Sequence, residues 1–179
     1  MTTPEAPALP REGGPARRAA RRTAVLVLVL AAVAGARTGL ATPVRISSSS
    51  MLPTLAAGDV VVTSRAALAV DEVDREDLVT FTSPEDGERA LKRVVGLPGD
   101  RVVIKDAVLF VNDEPVDEPY VDHERIDAYY SQTYVVPEHT VFVLGDNRGT
   151  STDSRDYGPV DADALTGRVL VRVWPPVRG

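Results

Sequence analysis

Seven short runs of β-branched and aliphatic residues, each cut off by Gly, Pro, Asp or Asn, limit what this chain can become. They lie at 60–63, 78–81, 90–95, 101–104, 108–111, 140–144 and 168–174. Such runs, bounded by turn formers, read as strands. From residue 44 onward no apolar 3.6-residue repeat of helical length competes with them. The expected body, residues 44–179, is therefore mainly β, built of curled antiparallel sheets or a partial barrel. Asn112-Asp113 supplies a hairpin turn after the fifth run. The acidic stretch 71–77 reads as a solvated loop, and no internal repeat is visible.

Ahead of the body the composition changes. Residues 24–36, A-V-L-V-L-V-L-A-A-V-A-G-A, are apolar without interruption, and the only charge from 24 to 44 is Arg37. A helical span needs roughly 20 such residues, and an arginine near one end can snorkel to the interface. Arg17, Arg18, Arg21 and Arg22 precede the run, so the excess of positive charge predicts an N-in, C-out orientation. This gives a basic, Pro/Ala/Gly-rich disordered tail over 1–22 and a transmembrane helix over 23–43. The same residues also fit a cleavable leader with Ala34-Gly35-Ala36 as its cleavage site. Either reading delivers the body across a membrane and makes lipid a partner. After residue 22 the chain carries 24 acids against 15 bases. A basic tail on an acidic body argues against a nucleic-acid-binding domain.

The chemistry available is narrow. There is no cysteine, and the two histidines, His123 and His139, stand in unrelated contexts, so no metal site and no cofactor is expected. Three polar segments break from apolar runs: I-S-S-S-S-M-L-P-T-L (46–55), K-R-V-V-G-L-P-G-D (92–100) and G-D-N-R-G-T-S-T-D-S-R-D-Y-G-P-V (145–160). Lys92 is one of only two lysines against 18 arginines. On a strand it shares a face with Ala90 and Val94 while Arg93 points the other way. Read blandly, it is a snorkelling strand lysine. Read as chemistry, it is a desolvated amine able to take the proton of a serine hydroxyl. The acids and arginines around Ser151 are surface ion pairs on one reading and a brace for that lysine on the other.

Taken together and in this order, the three segments closely resemble those of bacterial type I signal peptidases, across roughly residues 44–174. The resemblance implies a membrane-anchored serine endopeptidase that removes signal peptides from exported precursors after Ala-x-Ala-like sites. It sets Ser50 at the nucleophile, Lys92 at the general base and Ser48 at the oxyanion-stabilising hydroxyl. Ser151 falls at the serine that orients the lysine, and Asp146, Arg155 and Arg93 at bracing ion pairs. Ile46, Met51, Leu55, Ala90 and Leu91 are the apolar candidates to line its substrate pockets. It also implies a retained anchor in the bacterial plasma membrane, the N-terminus cytoplasmic and the catalytic domain outside, with self-processing near Ala36 as a side reaction. Two departures stand out. Ser47 and Ser49 replace the family's usual Pro and Gly, and Arg75-Glu76-Asp77 replaces R-G-D. They leave room for a specialised peptidase serving one secreted or pilin-like substrate, or for a degenerate peptide-binding relative. A self-cleaving Ser–Lys repressor relative would instead need a DNA-binding helical N-terminus, which the basic tail and apolar run do not provide.

Overall fold

The computed structural model describes residues 41–64, 68, 70–122 and 132–175. Its strands are β1 (Ala41–Arg45), β2 (Val60–Ser64), β3 (Leu78–Thr82), β4 (Arg89–Gly96), β5 (Arg101–Lys105), β6 (Val108–Val111), β7 (Glu114–Pro115), β8 (Tyr134–Val135), β9 (Thr140–Leu144), β10 (Val160–Asp161) and β11 (Leu165–Trp174). All seven runs read from the sequence are strands. They form a seven-stranded sheet in the order β1-β2-β11-β3-β4-β9-β10 and a four-stranded sheet in the order β7-β6-β5-β8. Every pairing between them is antiparallel. The body is mainly β, as expected.

Burial explains which strands are the most apolar. On β4 and β9 alternate residues belong to different cores: Val94, Val141 and Val143 join Phe81, Val79 and Leu165. Val95, Phe142 and Leu144 join Val102, Leu109 and Val136 of the smaller sheet. Strands buried on both faces lose the polar/apolar alternation, hence the unbroken V-F-V-L of β9. The hairpin at Asn112-Asp113 is a two-residue turn with both residues at positive φ (55° and 70°), closing Val111 onto Glu114.

At its N-terminal edge the sheet takes in residues that the sequence reading gave to the apolar segment 23–43. Ala41, Thr42 and Pro43 pair with Ser64, Thr63 and Val62 as the first residues of β1. An edge strand tolerates the proline, whose missing N–H would face outward. The rest of that segment and the tail 1–22 lie outside the described residues, as does His123. Among the described residues no helix is long and apolar enough to cross a membrane.

One aspartate joins the two sheets. Asp100, in the turn between β4 and β5, accepts from the Leu97 N–H (2.7 Å), from Asn112 Nδ2 (2.8 Å) and from both Arg75 Nη2 and Nε. Its burial alone would raise its carboxyl; the hydrogen bonds from Leu97, Arg75 and Asn112 outweigh that and hold it below 3.8. Since the folded state favours the ionised form, the stability it contributes is present above that value and is lost as pH falls through the lowered one. Asp100→Ala is expected to cost about 2–3 kcal/mol near neutral pH. Urea unfolding at pH 7 and at pH 3 measures this, and the difference from wild type should shrink at the lower pH.

Candidate active site

The serine run leads from β1 into a tight turn that the apolar residues around it pin in place. Ile46, Met51 and Leu55 pack with Val61 in a third small core. Leu52 N–H donates to the Ser49 carbonyl (3.1 Å) and Leu55 N–H to that of Met51 (2.8 Å). From the other side Asn147 holds the same turn, its N–H on the Ser50 carbonyl (3.0 Å) and its Nδ2 on that of Ser49 (3.1 Å). Ser50 Oγ lies 3.2 Å from Ser48 Oγ.

This turn forms one wall of a cleft of about 540 Å³, and the first half of β4 forms the other. Ser48, Ser50 and Lys92 all border it, with Ile46, Met51, Ala90, Leu91 and Tyr157. Leu55 does not: it is 2% exposed and packs behind Met51, one helical turn deeper, so it supports the wall without reaching the cleft. Ser49 is also absent from the wall, whereas Ser47 lines it. The side chain that replaces the usual glycine therefore does not narrow the cleft.

Lys92 is only 6% exposed. Burial pulls its amine below the ordinary 10.5, opposed by the field of Asp153, while Arg155 adds to the lowering and Asp156 and Glu85 oppose it. Among the described residues no carboxylate lies within ion-pair distance of its amine. A buried lysine without a partner is costly to keep charged and ready to act as a base.

Ser151 is buried too, and its hydroxyl has no hydrogen-bond partner among the described residues. A buried orphan hydroxyl at a site marks a group held for something other than stability. Gly145 brings it close to the Ser50 turn: a Cβ there would stand 2.1 Å from Ser151 Oγ and 2.7 Å from the Ser50 carbonyl oxygen. The strand β9 thus ends wedged between the two serines.

Arg93, Asp146 and Arg155 all stand in ion pairs, Arg93 with Asp146 and Arg155 with Asp153. Arg93 holds Asp146 with both ends of its fork (2.8 and 2.7 Å), and Thr54 Oγ1 donates to the same carboxylate. Arg155 pairs with Asp153 (2.8 Å) and donates to the Arg148 and Ser151 carbonyls. Asp153 caps a one-turn helix, α1 (Ser154–Tyr157), with a reciprocal capping box to Asp156, and also accepts from the Gly145 N–H (3.0 Å). The sequence reading did not pick out this helix, although D-S-R-D has capping-box spacing. Glu76, at the usual glycine of R-G-D, adopts φ 73°, the conformation glycine favours, and its carbonyl accepts from Arg93. Asn147 and Arg148 stand in the polar run read from the sequence as surface ion pairs or a brace, but Gly145 and Glu118 were not picked out; the roles of all four depend on contacts between distant segments. His139 sits at the start of β9, the opposite end from Gly145, beside Asp163.

One cleft of this mainly β scaffold carries Ser50 together with a buried lysine that has no carboxylate partner among the described residues, a combination that suits a serine peptidase. The family model for signal peptidase, peptidase S26, matches residues 19–174. The chain belongs to this family, and its activity is the family's, removal of signal peptides by a serine peptidase. Signal peptidase I of Bacillus caldolyticus is 34% identical over 142 residues, covering 73% of this chain and 78% of that protein. Signal peptidase IB of Staphylococcus aureus (strain COL) is 34% identical over 153 residues, covering 76% and 79%. The chloroplastic thylakoidal processing peptidase 1 of Arabidopsis thaliana is 36% identical over 165 residues, covering 86% of this chain but 46% of that one. A crystal structure of a signal peptidase I from Enterococcus faecalis V583 is similar over 55% of this chain and 97% of its own, with 35% identity and a TM-score of 0.48.

Proposed function

We propose that Ser50 is the nucleophile and Lys92 the general base of this peptidase, and that the cleft takes the end of a signal peptide as an added strand. The observation that carries the reading is Lys92: buried, without a carboxylate partner, and bordering the same cleft as Ser50. The neutral amine takes the Ser50 hydroxyl proton as Oγ attacks the scissile carbonyl. Ser48 Oγ, 3.2 Å from the nucleophile, donates to the oxyanion that forms. The Lys92 ammonium then returns its proton to the leaving amine, and the amine so regenerated deprotonates the water that hydrolyses the acyl-enzyme. Ser151 gives its orphan hydroxyl to the lysine and holds it in line. Ile46, Met51, Ala90 and Leu91 accept the small side chains of an Ala-x-Ala sequence.

Residues 23–43 serve in this reading as a retained anchor in the bacterial plasma membrane, with 1–22 in the cytoplasm and the catalytic body outside. The apolar run and the arginines before it support that arrangement.

The test is cleavage of an Ala-x-Ala precursor by the detergent-solubilised chain. Ser50→Ala is expected to lose at least about 10³-fold in kcat/KM. Wild-type rates in that variant would sink the assignment.

A further inference from the structure

We propose that Glu118 is a positioning residue for the Ser50/Lys92 site, acting through Arg148 on Gly145. It rests on the roles given to Ser50 and Lys92 above. Glu118 lies beyond β7, on the segment that leaves the smaller sheet, yet it is only 2% exposed. Its carboxylate meets the Arg148 guanidinium fork to fork, at 2.8 and 2.6 Å, and Tyr120 Oη donates to it at 3.2 Å. Arg148 Nε in turn donates to the Gly145 carbonyl (3.1 Å), and Gly145 is the residue wedged between Ser151 and Ser50.

A buried ion pair is poor evidence for stability, because desolvation offsets its attraction. What a bidentate pair does supply is direction. Here it aims Arg148 Nε at one carbonyl oxygen of the active-site loop. The same arm reaches the other half of the site: the Tyr120 ring lies 3.7 Å from the centre of the Arg93 guanidinium, next in sequence to Lys92. A few residues from the smaller sheet thus set the position of arginines on both the lysine strand and the Ser151 loop.

Glu118→Gln removes the charge and keeps the shape. The buried guanidinium of Arg148 then loses the charged fork that fixes its direction, and with it the aim of Nε at the Gly145 carbonyl. The charged groups that act most strongly on Lys92 are Asp153, Arg155, Asp156 and Glu85, and Glu118 is not among them. An effect of Glu118 on the lysine must therefore pass through position.

The experiment uses the full chain in detergent with an Ala-x-Ala precursor, following kcat and KM across pH. Glu118→Gln is expected to lower kcat about 10–100-fold, to change KM by less than about twofold, and to move the rising limb of the profile toward higher pH as the lysine loses its fixed, buried position. The double variant Glu118→Leu/Arg148→Met removes both charges. Its Tm is expected at or above wild type while kcat stays low, since the bond to Gly145 is still missing. Wild-type kcat and pH profile in Glu118→Gln would overturn the proposal, and so would a double variant that regains both stability and rate. If Glu118→Gln does not fold, the double variant decides alone. Ser50→Ala runs in parallel. Were it to cleave like wild type, the underlying roles would fall; were it inactive while the Glu118 variants behave like wild type, only the present proposal would.

Discussion

Lys92→Met is expected to abolish cleavage and, at neutral pH, to make the protein more stable. The two effects have one cause. Burial holds the Lys92 amine below its ordinary 10.5, so the unfolded chain binds that proton more tightly than the folded one. Stability should therefore rise with pH between the lowered value and 10.5, and below that window the full cost of burying the charge is present. Methionine has nearly the same reach and no charge, so it removes the cost wherever the lysine would be protonated. Activity moves the other way. Losing the base is expected to lower kcat by about 10³-fold or more. In the wild type, kcat/KM should climb with pH along a limb lying below 10.5. Denaturant titrations at pH 7 and pH 10, beside rate measurements over the same range, check both halves. A variant that is less stable at pH 7, or a wild-type rate flat from pH 5 to 9, would remove Lys92 from the role of base.

Gly145→Ala is the second large expected effect, and here chemistry is untouched. The added methyl would stand 2.1 Å from Ser151 Oγ, 2.4 Å from its Cβ and 2.7 Å from the Ser50 carbonyl oxygen. Ser151 cannot give way freely, because the residue is buried and its carbonyl is held by Arg155. The Ser50 carbonyl is backbone and is held by the Asn147 N–H. Relief must come from spreading the two serines apart. A displacement of this order costs about 10²-fold in kcat, while overpacking costs about 1–3 kcal/mol of stability. The loss of rate should persist under conditions where circular dichroism shows the variant fully folded. Full activity in the folded variant would show that the wedge between Ser50 and Ser151 is not needed for turnover.

Different parts of the molecule were legible for different reasons. The seven strand runs were readable because each is a local pattern closed by local turn residues, and Asn112-Asp113 announced its turn outright. The turn at Asp106-Ala107 also takes positive φ at both positions (49° and 65°), but alanine gives no sign of that conformation. Residues 41–43 were counted into the apolar segment because they carry no charge; their pairing with β2 shows only in the fold. The cleft side chains followed from the family resemblance of the three segments. Leu55 did not, since whether an apolar residue of a one-turn loop faces cleft or core depends on how the turn packs against Val61. Glu118 could not be found at all: 30 positions separate it from Arg148, and only the meeting of the two sheets joins them.

Strand β1 also acts as a ruler. Ser50 lies nine positions after Ala41, so it stands no more than about 30 Å from the start of the strand even at full extension. The pairing of β1 with β2 along its whole length stops that distance from being adjusted at will. With the preceding segment held in a bilayer, as proposed, the chain from the strand's start would carry Ser50 no farther than about one hydrocarbon thickness. A precursor would then be chosen by altitude as well as by side chain. An Ala-x-Ala bond displayed farther out would go uncut however well it fitted the pockets.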